Sequence, residues 1–179
     1  MKYWLTTQWP PLAGRNYAAP FDSEDNKPYV WLRDEHYDDV GKPLREGDLV
    51  VVYEIGYGPT EVRTPDGTMP YRCQQPGRKG IIFYGRVKSG FEQRQGSRNA
   101  KYVCSNWKSD REMWWEWRAP IKILCKGRIR FSKVKAALRD AEEPMAFNPL
   151  GFGHGTGLME ITKTQYDALI KLFDAATTQ

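Results

Sequence analysis

The chain has 179 residues, of which 40% are hydrophobic and 27% are charged. This size fits one globular domain, residues 1–179, with a sizeable core, and it leaves little room for a second domain. No stretch approaches the roughly 20 apolar residues that span a bilayer, and the N-terminus lacks an apolar run of signal-peptide length. We therefore expect a cytoplasmic protein that has no membrane partner.

The net charge of +5 is distributed unevenly along the chain. Residues 1–70 hold 7 Lys and Arg against 12 Asp and Glu, residues 71–139 hold 18 against 4, and residues 140–179 hold 2 against 6. A run of like charge is usually a solvated face, but segregation this strong in a folded domain favours a polyanionic partner. An anionic membrane fits less well, because the basic segments alternate with strand-like apolar residues and form no amphipathic helix.

The cysteines and histidines do not form a recognisable metal or disulfide pattern. Cys73, Cys104 and Cys125 are odd in number and contain no Cys-x-x-Cys pair, which fits reduced thiols. Only His36 and His154 could join them, so a zinc site would need ligands from unrelated loops. We expect no metal and no cofactor.

The first half of the chain predicts three strands. Residues 3–7 and 29–32 are extended, and residues 49–53 are an apolar, β-branched run typical of a buried strand. Residues 33–40 are acidic and predict a short helix or turn. Residues 56–79 contain four Gly and four Pro, which predicts an irregular excursion.

The second half begins with two further strands. Residues 80–88 alternate between apolar and polar side chains, and a longer strand follows the segment EMWWEWR. A period of two places five residues on one face of this long strand, so its two tryptophans are expected in the core. These residues are Trp115, Trp117, Ala119, Ile121 and Ile123.

The C-terminal part predicts two helices and one strand. Ser132 is expected to cap a helix over 133–139, and residues 158–161 form the last strand. Thr162 and Gln165 form a capping box that opens the final helix. About five strands, with short helices between them and at the end, predict a small α+β domain with a curled sheet or barrel.

No motif in the chain predicts catalysis. The glycine-rich segment 151–157 lacks the Lys-Ser/Thr ending of a phosphate-binding loop. It is either a flexible connection or a place where backbone amides approach a phosphate or base. Acids and an imidazole occur together at 34–39, but neighbouring positions fall on different faces of any regular element, and no nucleophile turn accompanies them. We expect a protein that is not an enzyme.

Tryptophans in polar loops are the other candidates for function. Trp31 and Trp107 each lie at the edge of an irregular segment, and Trp9 precedes two prolines. Each indole either anchors its loop or offers a flat surface to a base. In a domain with a basic middle, the second use is favoured for Trp31 and Trp107.

Four segments in order resemble the EVE domain over nearly the whole chain. They read YWL at 3–5, GDLVVVY at 47–53, GIIFYGRV at 80–87 and LMEIT at 158–162. EVE domains belong to the PUA-like superfamily, together with the YTH and ASCH domains. The resemblance implies a PUA-like β-pseudo-barrel with flanking short helices. Characterised readers of this group hold a flipped, modified base in an aromatic pocket.

The resemblance also implies a set of pocket residues. Trp31 resembles a tryptophan that forms one pocket wall, Trp107 resembles the second cage tryptophan of YTH domains, and Tyr53 and Glu54 end a strand that borders the pocket. Glu54 or Asp34 would select the polar edge of the base. The candidate pocket residues are Trp9, Trp31, Asp34, Tyr53, Glu54 and Trp107.

We therefore expect a nucleic-acid-binding reader of a modified base. The resemblance favours DNA with methylated or hydroxymethylated cytosine or N6-methyladenine, and it implies a nuclease or restriction partner. The alternatives are an RNA-binding module of translation or RNA modification, and an enzyme acting on nucleic acid through His36 or His154. Phosphates would be neutralised by Arg86, Lys88, Arg94, Arg98, Lys101, Arg128 and Arg130.

Overall fold

A computed structural model describes most of the regular elements of the chain. It covers residues 1–8, 28–32, 37–38, 43–56, 61–64, 67–70, 79–93, 101–103, 117–149 and 157–177, with the backbone alone at 61–64, 67–70, 101–103 and 175–177. The elements are β1 (Tyr3–Gln8), β2 (Tyr29–Leu32), β3 (Leu49–Glu54), β4 (Glu61–Thr64), β5 (Gly67–Pro70), β6 (Gly80–Val87), β7 (Glu92–Gln93), β8 (Lys101–Val103), β9 (Trp117–Arg130), α1 (Phe131–Arg139), β10 (Leu158–Ile161) and α2 (Lys163–Thr177).

The main sheet has the strand order β10-β1-β3-β6-β9-β2, and β7 also pairs with β9. β1 and β3 are parallel, whereas the other pairs are antiparallel. The 14-residue β9 pairs with β6 through two register shifts, and such irregularities bend a strand and increase its twist. The sheet is therefore curled, and with its two helices it confirms the predicted α+β class.

A second, three-stranded sheet has the order β5-β4-β8. Its antiparallel hairpin, β4 with β5, lies in the segment 56–79 that was predicted to be irregular. That prediction is wrong for residues 61–64 and 67–70. The glycines and prolines there lie mostly in the connections, so they mark the strand ends and not a structureless segment.

Two apolar clusters lie on the two faces of the main sheet. Leu5 and Val51 pair across β1 and β3 and belong to the first cluster, which includes residues of α1 and α2. Trp4 and Val50, one position earlier, belong to the second cluster. This follows from the period of two, because successive side chains of a strand point to opposite faces.

A buried carboxylate fixes the start of β1 and β3. Asp48 accepts hydrogen bonds from the backbone N–H of Lys2 (2.7 Å), the indole N–H of Trp4 (3.0 Å) and the backbone N–H of Arg45 (3.0 Å). Asp48 follows Gly47, whose φ of 86° is a turn conformation that favours glycine. The polar edge of Trp4 is thereby satisfied inside the core.

One of the two predicted helix caps is present in the structure and the other is not. Gln165 Oε1 accepts from the backbone N–H of Thr162 (3.0 Å) and Thr162 Oγ1 accepts from that of Gln165 (3.3 Å), so the capping box is confirmed. The predicted Ser132 cap is wrong, because α1 begins at Phe131 and has no side-chain cap. Phe131 packs against the first cluster, and this contact favours a helical start before the serine.

The long strand holds Trp117 in a mixed environment. Trp117 packs against the second cluster and stacks on Tyr37, with ring centroids 3.6 Å apart and planes 7° apart. It nevertheless stays half-buried. Trp117 thus faces the core as expected, but it is not fully buried. Trp115 lies outside the described residues.

No helix in the described part of the chain is long and apolar enough to cross a membrane.

Candidate nucleic-acid interface

Exposed lysines and arginines follow one another along β6, β9 and α1. On β9 the period of two turns Cys125, Gly127 and Ile129 inward, so the residues between them face solvent. Arg86 and Lys122 lie on the face of the main sheet that carries α2, whereas Lys126 and Arg128 point to the opposite face. We call the whole set, which occupies both faces around β9, the basic surface. It consists of Arg86, Lys88, Lys122, Lys126, Arg128, Arg130, Lys133 and Lys135, all exposed.

Within the described part of the chain, the basic surface has few acidic partners. The ion pairs that join described residues include Lys2 with Glu160, Arg118 with Glu92, and Lys163 with Asp167, all outside this surface. Seven of its eight members form no ion pair with a described residue, Lys126 being the one with further interactions. Positive charge that is not locally balanced attracts a polyanion.

An aromatic and charged cluster lies around β2, at the other end of β9. Trp31 pairs with Arg118, and Tyr29 contacts Trp31 with ring centroids 5.6 Å apart. The Arg118 guanidinium lies 4.8 Å from the centre of the Tyr29 ring, and its Nε donates to Glu92 Oε1 at 2.9 Å. Trp31 is therefore held on the face that carries Tyr29 and Arg118, with 8% of its surface exposed.

Tyr53 is placed under α1. Its ring makes edge contacts with Phe147 (5.1 Å) and Phe131 (6.3 Å), and only 2% of the residue is exposed. Burial raises the pKa of its hydroxyl to about 12, because the phenolate would lose hydration. A base would therefore meet no exposed surface of this ring, and a role in the pocket stays a prediction.

Trp31 and Tyr53 lie at different levels of the sheet. Trp31 is opposite Arg118 of β9, whereas Tyr53 is opposite Ile81, which pairs with Ile129. The two levels are eleven positions apart on β9, from 118 to 129. The sheet register alone thus does not bring these two predicted pocket residues together.

The ends of β1 and β3 carry buried polar groups. Glu54 is 1% exposed and lies opposite Gln8. The side-chain amide nitrogen of Gln8 is buried and has no hydrogen-bond partner in the described structure. Gln8 was not among the predicted site residues. Its position two residues after Thr6 and four after Trp4, on the same face, is the sequence signal that could have identified it.

Six predicted site residues have no described side chain. Lys101 lies in β8, of which only the backbone is described. The others lie outside the described residues, and they are Trp9, Asp34, Arg94, Arg98 and Trp107. The histidines of the enzymatic alternative, His36 and His154, lie outside as well.

Comparison with known proteins identifies the fold. No protein-family model matches the chain, and no curated protein matches it. Human THYN1, solved in complex with DNA containing 5-methylcytosine, is 13% identical, covers 97% of this chain and 98% of its own, and has a TM-score of 0.53. The Mmi1 YTH domain is 12% identical over 99% of this chain and 77% of its own, with a TM-score of 0.47. The chain has the PUA-like β-pseudo-barrel with flanking helices that was predicted.

Proposed function

We propose that the chain is a nucleic-acid-binding protein of the EVE type that recognises a modified base held out of its helix. The observation that carries the proposal is the basic surface, in which seven exposed cations have no acidic partner among the described residues. The likeness of the fold to THYN1, whose structure holds 5-methylcytosine DNA, supports the same reading. We expect the protein to be cytoplasmic and not an enzyme.

The shape of the basic surface suits a chain of phosphates better than a single phosphate. Lys126, Arg128 and Arg130 are spaced two residues apart on a strand, so the row spans about 13 Å. One strand of B-DNA advances about 3.4 Å per phosphate, so this row is as long as about four steps. These contacts would supply affinity and orientation without reading sequence.

Base recognition in this proposal falls to Trp31 and Trp107, with Glu54 or Asp34 at the polar edge of the base. Extruding a base costs a few kcal/mol, and stacking on an aromatic ring returns about 1–3 kcal/mol. Only 8% of Trp31 is exposed, so the indole must be uncovered before a base can stack on it. The proposal therefore includes a rearrangement around β2.

We propose modified DNA as the ligand and a nuclease or restriction enzyme as a further partner. Methylated or hydroxymethylated cytosine and N6-methyladenine are the candidate bases. An RNA-binding module is the other candidate, for which a ribose 2′-hydroxyl would be an essential contact.

The test is a binding panel of oligonucleotides that differ in one modified base, each made with deoxyribose and with ribose. We expect one deoxyribose member to bind more tightly than its unmodified form, and all members to weaken steeply between about 50 and 200 mM salt. Tighter binding of the ribose series would favour the RNA alternative. Affinity that does not depend on salt would contradict the phosphate contacts.

A further inference from the structure

The face of β1 and β3 that carries the second cluster changes from apolar to polar toward the C-terminal ends of these two strands. Trp4 and Val50 form the apolar end, in the second cluster. Thr6 lies on the same face, and the last pair along the two strands is Gln8 with Glu54. Paired residues of neighbouring strands point to the same side, so this amide and this carboxyl share the polar end of the face.

Two polar side chains of this face differ in whether their donor has an acceptor. Thr6 Oγ1 donates to the backbone carbonyl of Gly157 at 2.7 Å. Gln8 Nε2 is buried, yet it donates to no group in the described structure. A buried donor without an acceptor destabilises the folded state, and proteins hold few of them. An apolar side chain of the same length would avoid this cost, so the glutamine calls for another explanation.

We propose that Gln8 is a specificity-determining residue that donates to the Watson–Crick edge of an unpaired base. Its amide N–H would meet the acceptor ring nitrogen, and the Glu54 carboxyl would accept from the neighbouring exocyclic amino group. Carboxylates accept from the amino group of cytosine in this way. Paired strands are about 4.8 Å apart, which brings both side-chain ends within reach of one base. Glu54 is 1% exposed and the Gln8 amide nitrogen is buried, so, as for Trp31, both groups must be uncovered before a base can reach them.

The ligand class is thus a base that has an amino group beside an acceptor ring nitrogen. Cytosine and adenine both have this edge, and it is available only when the base is unpaired. This inference rests on the proposed function, because it requires an extruded base. It adds a polar reader that acts beside the stacking surfaces.

The test is a double-mutant cycle between Gln8 and the ring nitrogen. Wild-type protein and Gln8→Met are titrated with oligonucleotides that carry either the preferred base or its deaza analogue, 3-deazacytosine or 1-deazaadenine, in which that nitrogen is C–H. We expect either change alone to weaken binding by about tenfold to a hundredfold. The two changes together should cost no more than one, because both remove the same hydrogen bond. Independent, multiplying losses would overturn the proposal.

Melting curves separate this role from a structural one. Thr6→Val is the matched control, since it removes a satisfied donor from the same face of the same strand. We expect Thr6→Val to lower the melting temperature and Gln8→Met to leave it unchanged or raise it. A fall for Gln8→Met as large as that for Thr6→Val would assign the amide to folding instead. If salt-sensitive binding and base preference both persist in Gln8→Met, this inference alone fails. If no oligonucleotide binds the wild type, the proposed function fails with it.

Discussion

Arg86 of β6 lies directly opposite Lys122 of β9, and neither side chain forms an ion pair with a described residue. Like charges in opposing positions destabilise a sheet, and an acid at either position would remove the repulsion. The pair therefore lowers the stability of the sheet at this position. A surface that binds a polyanion gives a reason for keeping both.

Reversing one charge of this pair should affect stability and binding in opposite directions. Arg86→Glu places an acid opposite Lys122, and we expect the free energy of unfolding to rise by about 0.2–1 kcal/mol. Affinity for an oligonucleotide should fall, because one phosphate contact is replaced by repulsion. Urea denaturation and fluorescence anisotropy measure the two effects. Arg86→Gln should give intermediate values, and a loss of both stability and affinity would indicate that Arg86 has a structural role.

The β9 row should control the salt dependence of binding. Arg128→Glu and Arg130→Glu are each expected to weaken binding to all sequences about equally and to reduce the slope of log K against log salt by about 1. Lys163→Glu, at the start of α2, is the control, because Lys163 is already paired with Asp167. A loss confined to one base in Arg128→Glu or Arg130→Glu would show that the residue reads that base.

Local signals in the sequence predicted the parts of the fold that depend on local chemistry. The apolar run of β3 and the Thr162–Gln165 box each carry their signal within a few residues, and both are observed. The start of α1 was misplaced because it depends on the packing of Phe131 against distant residues. The hairpin of β4 and β5 was missed because its glycines and prolines suggested a loop.

The candidate site was less predictable, because its chemistry depends on pairing between strands. The charge segregation indicated the basic surface, but only the register shows that Arg86 faces Lys122. Tyr53 ends its strand as expected, yet α1 covers the ring, and such coverage cannot be read from a strand pattern. Gln8 was missed because an unsatisfied donor is a property of the folded environment.

The capping box should make a measurable contribution to stability. Thr162→Ala removes the acceptor for the backbone N–H of Gln165, and we expect the free energy of unfolding to fall by about 1 kcal/mol. Lys163→Ala serves as the control, because its exposed pair with Asp167 should contribute less than half as much. Urea denaturation compares both variants. Equal losses would mean that the hydroxyl of Thr162 adds nothing beyond an ordinary surface contact.

Tyr53 should make stability depend on alkaline pH. Its pKa is raised from about 10 to about 12 by burial, so above pH 10 the unfolded chain releases a proton that the folded chain retains. The free energy of unfolding should therefore fall as the pH rises from about 10 to about 12. Tyr53→Phe should make this fall shallower in urea titrations across that range. An unchanged slope would show that the folded protein ionises Tyr53 as readily as the unfolded chain does.

Trp31 and Trp117 should differ in function although both pack against other aromatic rings. Trp31→Leu and Trp117→Leu each remove an aromatic side chain that contacts a tyrosine, so both should lower the free energy of unfolding, by about 1–3 kcal/mol. Only Trp31 is proposed to stack on the base, so only Trp31→Leu should reduce the ratio of affinities for modified and unmodified oligonucleotide.

Trp31→Phe makes this comparison specific for an aromatic face. It keeps a ring beside Tyr29, so the affinity ratio should stay closer to that of the wild type than in Trp31→Leu, while salt-sensitive binding survives in every variant. Melting curves and the affinity ratio are measured together for the three variants. If Trp31→Leu and Trp117→Leu change the ratio equally, or neither changes it, Trp31 is a packing residue of β2 and the base stacks elsewhere.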